Sequence, residues 1–530
     1  MSSGVRKSCV MVVLLLAIVP GRCDVMDTVS QWSVWEGELA GEVAHASLPS
    51  DVTVSVRLTA PSGQDHRIDA FWDGGSSWRA RFAPGEIGRW RWTSRCDADA
   101  GPDGASGEFE CVGAGDGPLS GGPLRVAEDR RHFEHADGTA FFWLADTAWN
   151  GALRGDESDW AEYLSLRREQ GFTAVQFVTT QWRGWPEAGV FDDAVGLDVN
   201  VAAFQHLDRM LAAVNAQGLV AAPVMLWTLT ESDPGQTLSE ENAIALCRYM
   251  VARWGAYNVV WLLGGDGRYQ DVVERWNRIG RAVFGDESDR LVSMHPCGTS
   301  WVGEWFGDEP WFDFLGYQSG HGLPEKTSRW ITQGPPAQKW RDLALPIVNL
   351  EPNYEGFPAY GSDHRISALD VRRAAWLSLL STPTAGVSYG TNPIWVWGEE
   401  TGDAPGHSGL KDIPPWRVGL ETEGIAGMSA LRSILSDVEW WRLRPAQEML
   451  AEQPGEADSR EWIAVAATEA RDLTVAYAPG GGEVILTSQR RSSGRAVWRD
   501  PRDGSSAPAE GEDGRFIAPD DRDWVLVIAD

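Results

Sequence analysis

Leu345-Pro-Ile-Val-Asn-Leu-Glu351-Pro-Asn-Tyr-Glu355-Gly356 is the stretch on which the reading of the fold turns. A mostly apolar run ends in an acidic residue and stops at Pro352. A short continuous apolar segment reads as a strand buried on both faces. Proline cannot donate to a ladder, so Pro352 places Glu351 at the strand's end. In a parallel α/β barrel, side chains at the C-terminal ends of strands line the reaction site. Burying a carboxylate costs free energy unless it has a partner or a chemical task. Glu351 is therefore either an ion-paired loop anchor or a reacting group.

Working outward, eight apolar strand candidates can be counted, at 140–145, 173–178, 220–226, 258–263, 291–294, 312–317, 346–350 and 386–389. The helices between them are legible. Phe204, Leu207, Leu211 and Val214 share one face, with Gly218 where a C-cap glycine belongs. Thr237-x-x-Glu240 is a capping-box pattern. Val272, Trp276, Ile279 and Val283 mark the next helix, and Leu369, Trp376 and Leu380 the one before the last strand. Strands alternating with helices predict a parallel sheet. Eight units over roughly 260 residues match a (β/α)8 TIM barrel in number and size. An open doubly wound sheet would want a glycine-rich turn after its first strand. The chain has Asp146-Thr-Ala-Trp149 there instead.

On either side the pattern is β. Residues 52–58 alternate, 77–82 and 89–93 are short aromatic strands, and Pro84-Gly85 makes a turn between them. Trp72 and Trp78 in this region suit core packing better than contact with carbohydrate. Toward the other end, 473–477, 483–486, 495–499 and 524–528 read as strands, with Gly480-Gly481-Gly482 as a turn. The expected organisation is an N-terminal β-sandwich over 27–126, the barrel over 127–450 and a small C-terminal β-sandwich over 460–530. Residues 1–23 carry Arg6 and Lys7, an apolar run from 10 to 19 and Gly21-Arg22-Cys23, the pattern of a secretory signal peptide. The protein is thus expected to be secreted, with no membrane span after cleavage.

An exported chain can form disulfides. Cys96 and Cys111 flank a Gly/Asp/Ala-rich turn and are candidates to pair across a hairpin, whereas Cys247 lies on an apolar helix face. No CxxC or HxxxH spacing points to a metal, and no cofactor motif is present. With 46 Lys+Arg against 76 Asp+Glu, the chain repels phosphate backbones, which excludes nucleic acid as a natural partner. The 29 tryptophans suit both core packing and stacking on sugar rings. Nothing in the sequence fixes an oligomeric state.

The strand ends deliver a distinctive set of side chains. In order they are Asp146 and Trp149; Gln181 and Trp182; Trp227; Asp266 after Val260-Trp-Leu-Leu-Gly-Gly; His295; Gln318 and His321; Glu351, Tyr354 and Glu355; and Tyr389, Asn392 and Trp395. Carboxylates, amides and indoles without lysine suit a carbohydrate. Glycoside hydrolysis needs two carboxyls flanking the bond. Asp266 and Glu351, on the fourth and seventh strands, can face each other across the mouth. Asp266 among apolar neighbours would be desolvated and suited to general acid catalysis. Glu351, hydrogen-bonded and ionised, would be the nucleophile. A helix N-cap is the bland alternative for Asp266, and Glu355 and Asp146 are rivals for a catalytic role. Gly264-Gly265 would let the backbone approach a substrate closely. A protease or esterase is disfavoured, because neither a G-x-S-x-G elbow nor an H-E-x-x-H site occurs.

The segments Phe141-Phe-Trp-Leu-Ala-Asp-Thr-Ala-Trp149, Gly171-Phe-Thr-Ala-Val-Gln-Phe177, Val260-Trp-Leu-Leu-Gly-Gly-Asp266 and Asn349-Leu-Glu-Pro-Asn-Tyr-Glu355 resemble the apiosidase-like glycoside hydrolases, family 140 and its relatives. Outside the barrel the chain resembles the sandwich that often precedes such barrels and a C-terminal module of collagen-binding type. The resemblance implies an aspartate acid/base and a glutamate nucleophile, which map onto Asp266 and Glu351. Many barrel glycosidases carry Asn-Glu at the end of strand four. Here Gly265-Asp266 stands there, one methylene shorter, which implies that the substrate sits deeper. The expectation is a secreted glycosidase acting with retention on a plant-type or microbial polysaccharide. The rival is a non-catalytic carbohydrate- or matrix-binding protein on a degenerate barrel.

Overall fold

Eight largely buried runs, four to eight residues long, assemble into one parallel sheet. A computed structural model of the chain describes residues 27–117, 120–285, 290–407, 409–487 and 495–530. The leader sequence expected at 1–23 lies outside the described residues. The barrel strands are β1 (Trp143–Thr147), β2 (Ala174–Val178), β3 (Val220–Trp227), β4 (Trp261–Gly267), β5 (Val292–Pro296), β6 (Leu315–Gln318), β7 (Ile347–Glu351) and β8 (Gly386–Tyr389). Their order in the sheet is β5-β4-β3-β2-β1-β8-β7-β6, all neighbours parallel. All residues of β3 and β7 are buried, as strands covered on both faces must be.

The ring closes between β5 and β6 without a regular ladder, and side chains stitch that seam. Ser293 Oγ donates to the Phe314 carbonyl at 2.7 Å and accepts the Gly316 N–H at 3.0 Å. The Asp313 carboxylate accepts the Val292 N–H at 2.9 Å, while the Asp313 N–H donates back to the Val292 carbonyl.

Four helices matter for the site and its support: α1 (Glu157–Glu169), α2 (Val201–Ala216), α3 (Glu240–Trp254) and α4 (Ala368–Ser381). The capping box expected at Thr237 is not formed. Thr237 ends a short preceding helix, and Ser239 caps α3 by accepting the Asn242 N–H at 3.1 Å. The first apolar run also divides. Ala140–Phe141 pairs with Phe133–His135 in a small separate sheet, and β1 starts only at Trp143. Phe133 from that sheet packs on Trp143 and Phe314 at the N-terminal ends of β1 and β6.

Before the barrel lie a five-stranded and a three-stranded sheet, packed through Trp35, Trp90 and Phe109. Trp72 and Trp78 are both buried in this core. The disulfide expected between Cys96 and Cys111 is not formed, and both are free buried thiols. Strand register explains why. Cys111 stands opposite Gly88 and Cys96 opposite Val54, so the two thiols lie at far ends of the same hairpin.

This region docks on the barrel through buried charges. Asp208 of α2 receives Arg81 at 2.9 Å, Arg253 of α3 at 2.8 Å and Trp254 Nε1 at 2.7 Å, and Arg253 also reaches Asp73 at 2.8 Å. At the other end, a six-stranded and a three-stranded sheet follow the barrel. Arg372 of α4 grips Asp523 with two bonds of 3.0 Å, and Trp376 stacks on Tyr477.

Candidate active site

Glu351 ends β7 and is 5 % exposed. Its Oε1 lies 2.8 Å from His321 Nε2, and its Oε2 lies 3.3 Å from His295 Nε2 at the end of β5. The local chain explains the grip. Gly320, at φ +72°, turns the chain after β6 so that His321 folds over the end of β7. Asn353 then clamps that turn by donating to the Gly320 and Gly322 carbonyls at 3.2 Å. Burial alone would push the Glu351 carboxyl up. The contacts from His295 and His321 outweigh it and hold the group low, at about 2. Tyr354 stands beside it, its hydroxyl accepting Trp149 Nε1 at 2.7 Å. Burial and the Glu351 charge keep that phenol un-ionised.

Asp266 sits in β4, where pairing with β5 shifts register twice, and it takes a left-handed φ of 51°. This is a bulge at a strand end, the device that re-aims a side chain. No helix cap is made: the carboxylate lies within the strand, and the nearest helical turn, Tyr269–Asp271, has no side-chain cap. The flanking glycines serve neighbours rather than a substrate. A Cβ at Gly265 would strike Val224 and Trp227, and one at Gly264 would strike the Tyr269 hydroxyl. Burial first, then the negative charge of Glu351, pushes the Asp266 carboxyl up to about 7, against the opposing pull of His295 and Arg183.

Four indoles from the same strand ends form a chain of contacts. Trp149 meets Trp227 at 5.4 Å between ring centroids, Trp227 meets Trp182 at 5.1 Å, and Trp182 meets Trp395 at 5.9 Å. His295 packs edge-on against Trp149 at 5.2 Å. Gln318 ends β6 with its Oε1 buried and, among the described residues, without a hydrogen-bond partner. Gln181 acts through the loop, its Oε1 accepting the Val190 N–H at 3.2 Å and its Nε2 donating to the Phe191 carbonyl at 3.2 Å.

Three residues expected at the mouth belong elsewhere. Asp146 is fully buried between β1 and α1, accepting Arg167 Nε at 2.5 Å, the Tyr163 hydroxyl at 2.9 Å and the Thr147 N–H at 2.9 Å. It is an internal ion pair. Glu355 accepts the Tyr389 hydroxyl at 2.6 Å, the Thr422 hydroxyl at 2.6 Å and the Gly424 N–H at 3.0 Å. It closes the N-terminus of the helix Glu423–Ser436, and it takes Tyr389 with it.

The structure adds residues that periodicity does not reveal. Arg183 lies over Trp182 and Trp395, 4.7 and 5.6 Å from the ring centroids, and donates to the Gly406 carbonyl at 2.7 Å. Burial lowers its proton affinity, while Asp233, Asp266 and Glu351 raise it. His407 packs near Phe357 and Trp395. The one sequence signal was the dense motif Trp182-Arg-Gly-Trp185.

Comparison with known proteins agrees with this architecture. The chain is similar to a "putative glycoside hydrolase" of Bacteroides vulgatus, at 18 % identity and TM-score 0.71, over 95 % of this chain and 100 % of that one. It is also similar to a family 5 glycoside hydrolase of the same organism, at 21 % identity and TM-score 0.67, over 78 % of this chain and 95 % of that one. At such identities the likeness speaks for the fold. No curated protein matches. Residues 28–97 match a domain of unknown function, and 444–529 match the "Putative collagen-binding domain of a collagenase". The model described as "Apiosidase-like, catalytic domain" matches residues 127–442, more than half of the chain, and the protein belongs to that apiosidase-like family.

Proposed function

We propose that the protein is a secreted glycoside hydrolase that cleaves a glycosidic bond in a plant-type or microbial polysaccharide with retention of configuration. One observation carries this reading: Asp266 on the bulged end of β4 and Glu351 on the end of β7 serve one site, and the two imidazoles on Glu351 hold it low, at about 2, while burial and that charge push Asp266 up to about 7. Such a split separates an acid from a nucleophile. A barrel without catalysis has no use for it, which weighs against the pure binding protein.

The protonated Asp266 gives its proton to the leaving glycosidic oxygen as Glu351 Oε attacks the anomeric carbon, forming a glycosyl ester and releasing the aglycone alcohol. Asp266, now ionised, takes a proton from water. That water attacks the same carbon and frees the Glu351 carboxylate. His295 and His321 orient Glu351 and keep it charged in the first step. Tyr354 positions it from the side of Trp149. Trp182, Trp227 and Trp395 would bound the sugar, with Gln318 free to bond a hydroxyl. In this organisation 127–450 carries the reaction, 27–126 and 460–530 brace it, and 1–23 directs export.

The test is a panel of 4-nitrophenyl furanosides and pyranosides together with defined plant and microbial glycans, with the first-formed anomer followed by NMR. Retention is expected. Inversion would remove Glu351 from the nucleophile's role, and no hydrolysis of any member would remove the glycosidase.

A further inference from the structure

Loop tips above a reaction site are solvent-facing, so a large aromatic side chain there needs a reason beyond packing. Among the described residues, the strongly exposed large apolar side chains are aliphatic with one exception, Tyr360, at 58 %. Tyr360 sits in the loop that follows β7. That loop is tied by backbone bonds at its tip: Ala359 N–H to the His364 carbonyl at 2.8 Å and Ser362 N–H to the Ala359 carbonyl at 3.0 Å. The Tyr360 N–H donates to the carbonyl of His321, the residue that holds Glu351. One flank of the ring is supported by Phe357 at 5.6 Å and His321 at 5.7 Å between centroids. The rest is open. Among the described residues nothing hydrogen-bonds its hydroxyl.

The Tyr360 hydroxyl feels the charges of the site. Partial burial, then the charges of Glu351 and Asp266, push its ionisation up, and Arg183 pulls it down. Its backbone bond to His321 and its ring contact with the same imidazole set Tyr360 one residue away from Glu351, which His321 holds at 2.8 Å. A ring pre-fixed by its own loop and backed on one side presents its free face at little entropic cost. An aromatic face suits the C–H side of a sugar ring, and a free phenol suits a sugar hydroxyl.

We propose that Tyr360 is a substrate-binding residue, its ring forming the outer wall of the sugar subsite over Asp266 and Glu351 and its hydroxyl bonding a sugar hydroxyl. The proposal rests on the glycosidase reading and names a wall of that same site. Tyr360 makes no contact that the closed barrel depends on, so its removal leaves the fold intact.

The experiment compares Tyr360→Ala and Tyr360→Phe with the parent on the 4-nitrophenyl glycoside that the parent hydrolyses best. Tyr360→Ala is expected to raise KM about tenfold, with kcat within about threefold, and Tyr360→Phe to keep part of the affinity. Unchanged KM in Tyr360→Ala overturns the proposal while leaving the glycosidase standing. The same glycosides are titrated onto Glu351→Gln by tryptophan fluorescence, with and without Tyr360→Ala. Weaker binding in the double variant supports the proposal even if the parent hydrolyses nothing. Equal binding, or none by Glu351→Gln alone, overturns it.

Discussion

Two groups of buried acids serve opposite ends in this molecule. At the junction between the N-terminal sheets and the barrel, Asp208 is met by two arginines and an indole N–H, and Asp73 by two arginines. At the mouth, Glu351 has two imidazoles, whereas Asp266 has no hydrogen-bond partner among the described residues to offset the nearby negative charge. The first group is saturated and holds two regions together. The second is left short of compensation, which is what makes one acid hold a proton near neutrality and the other stay charged. The number of strong donors around a buried carboxyl thus separates a fastening from a reaction centre.

This contrast can be broken from either side. The largest effect is expected from Glu351→Gln. Turnover should fall by about a thousandfold or more while the melting temperature moves by about 3 °C or less. Near-normal turnover would place the nucleophile elsewhere. Asp208→Ala should do the reverse. Two guanidinium groups would lose their buried partner at a cost of about 3–5 kcal/mol in denaturant unfolding. The protein that remains folded should keep its kcat, and a selective loss of kcat would blur the division. The pH dependence sharpens it. Asp266 must be protonated to act, so kcat/KM should decline as pH rises through about 7, whereas the acid limb should lie far lower because Glu351 is held near 2.

The smallest effect concerns stability. The folded state raises the Asp266 carboxyl from its ordinary 3.8 to about 7, so it binds a proton that the unfolded chain releases. Stability is therefore lost as pH rises across that window. Asp266→Asn removes the loss. It should melt higher than the parent at pH 8 and equally at pH 4 by calorimetry. Asp313, raised by burial to about 7 as well, titrates in both proteins and cancels in the difference. A parent more stable than the variant at pH 8 would mean that Asp266 is compensated after all.

How much of this was legible in the sequence depended on the length of the signal. Glu351 was readable because an apolar run, an acid and a proline follow one another. Asp146 carries nearly the same local pattern, yet it turns toward the helices. Side chains of a strand alternate between faces, and the apolar run begins at 140 whereas β1 begins at Trp143, so the run alone does not fix which face Asp146 takes. The available clue was Tyr163 and Arg167, four apart on α1 and therefore on one face, ready to take a buried acid. Asp266 is readable as a strand-end acid, but the bulge that aims it is not, because the apolar run stops at 263 while the strand continues through Gly264-Gly265 to Gly267. Arg183, Tyr360 and His407 lie in loops, where no period announces which residue turns inward.

The stitched seam of the barrel has a consequence for Glu351. His295 belongs to β5 and His321 follows β6, so the two imidazoles that hold Glu351 stand on opposite banks of the β5–β6 join, where bonds through Ser293 and Asp313 take the place of a regular ladder. Side-chain bonds yield more readily than paired backbones. Any breathing of the ring concentrates there, and the carboxylate bridging the banks acts as the clasp that feels it first.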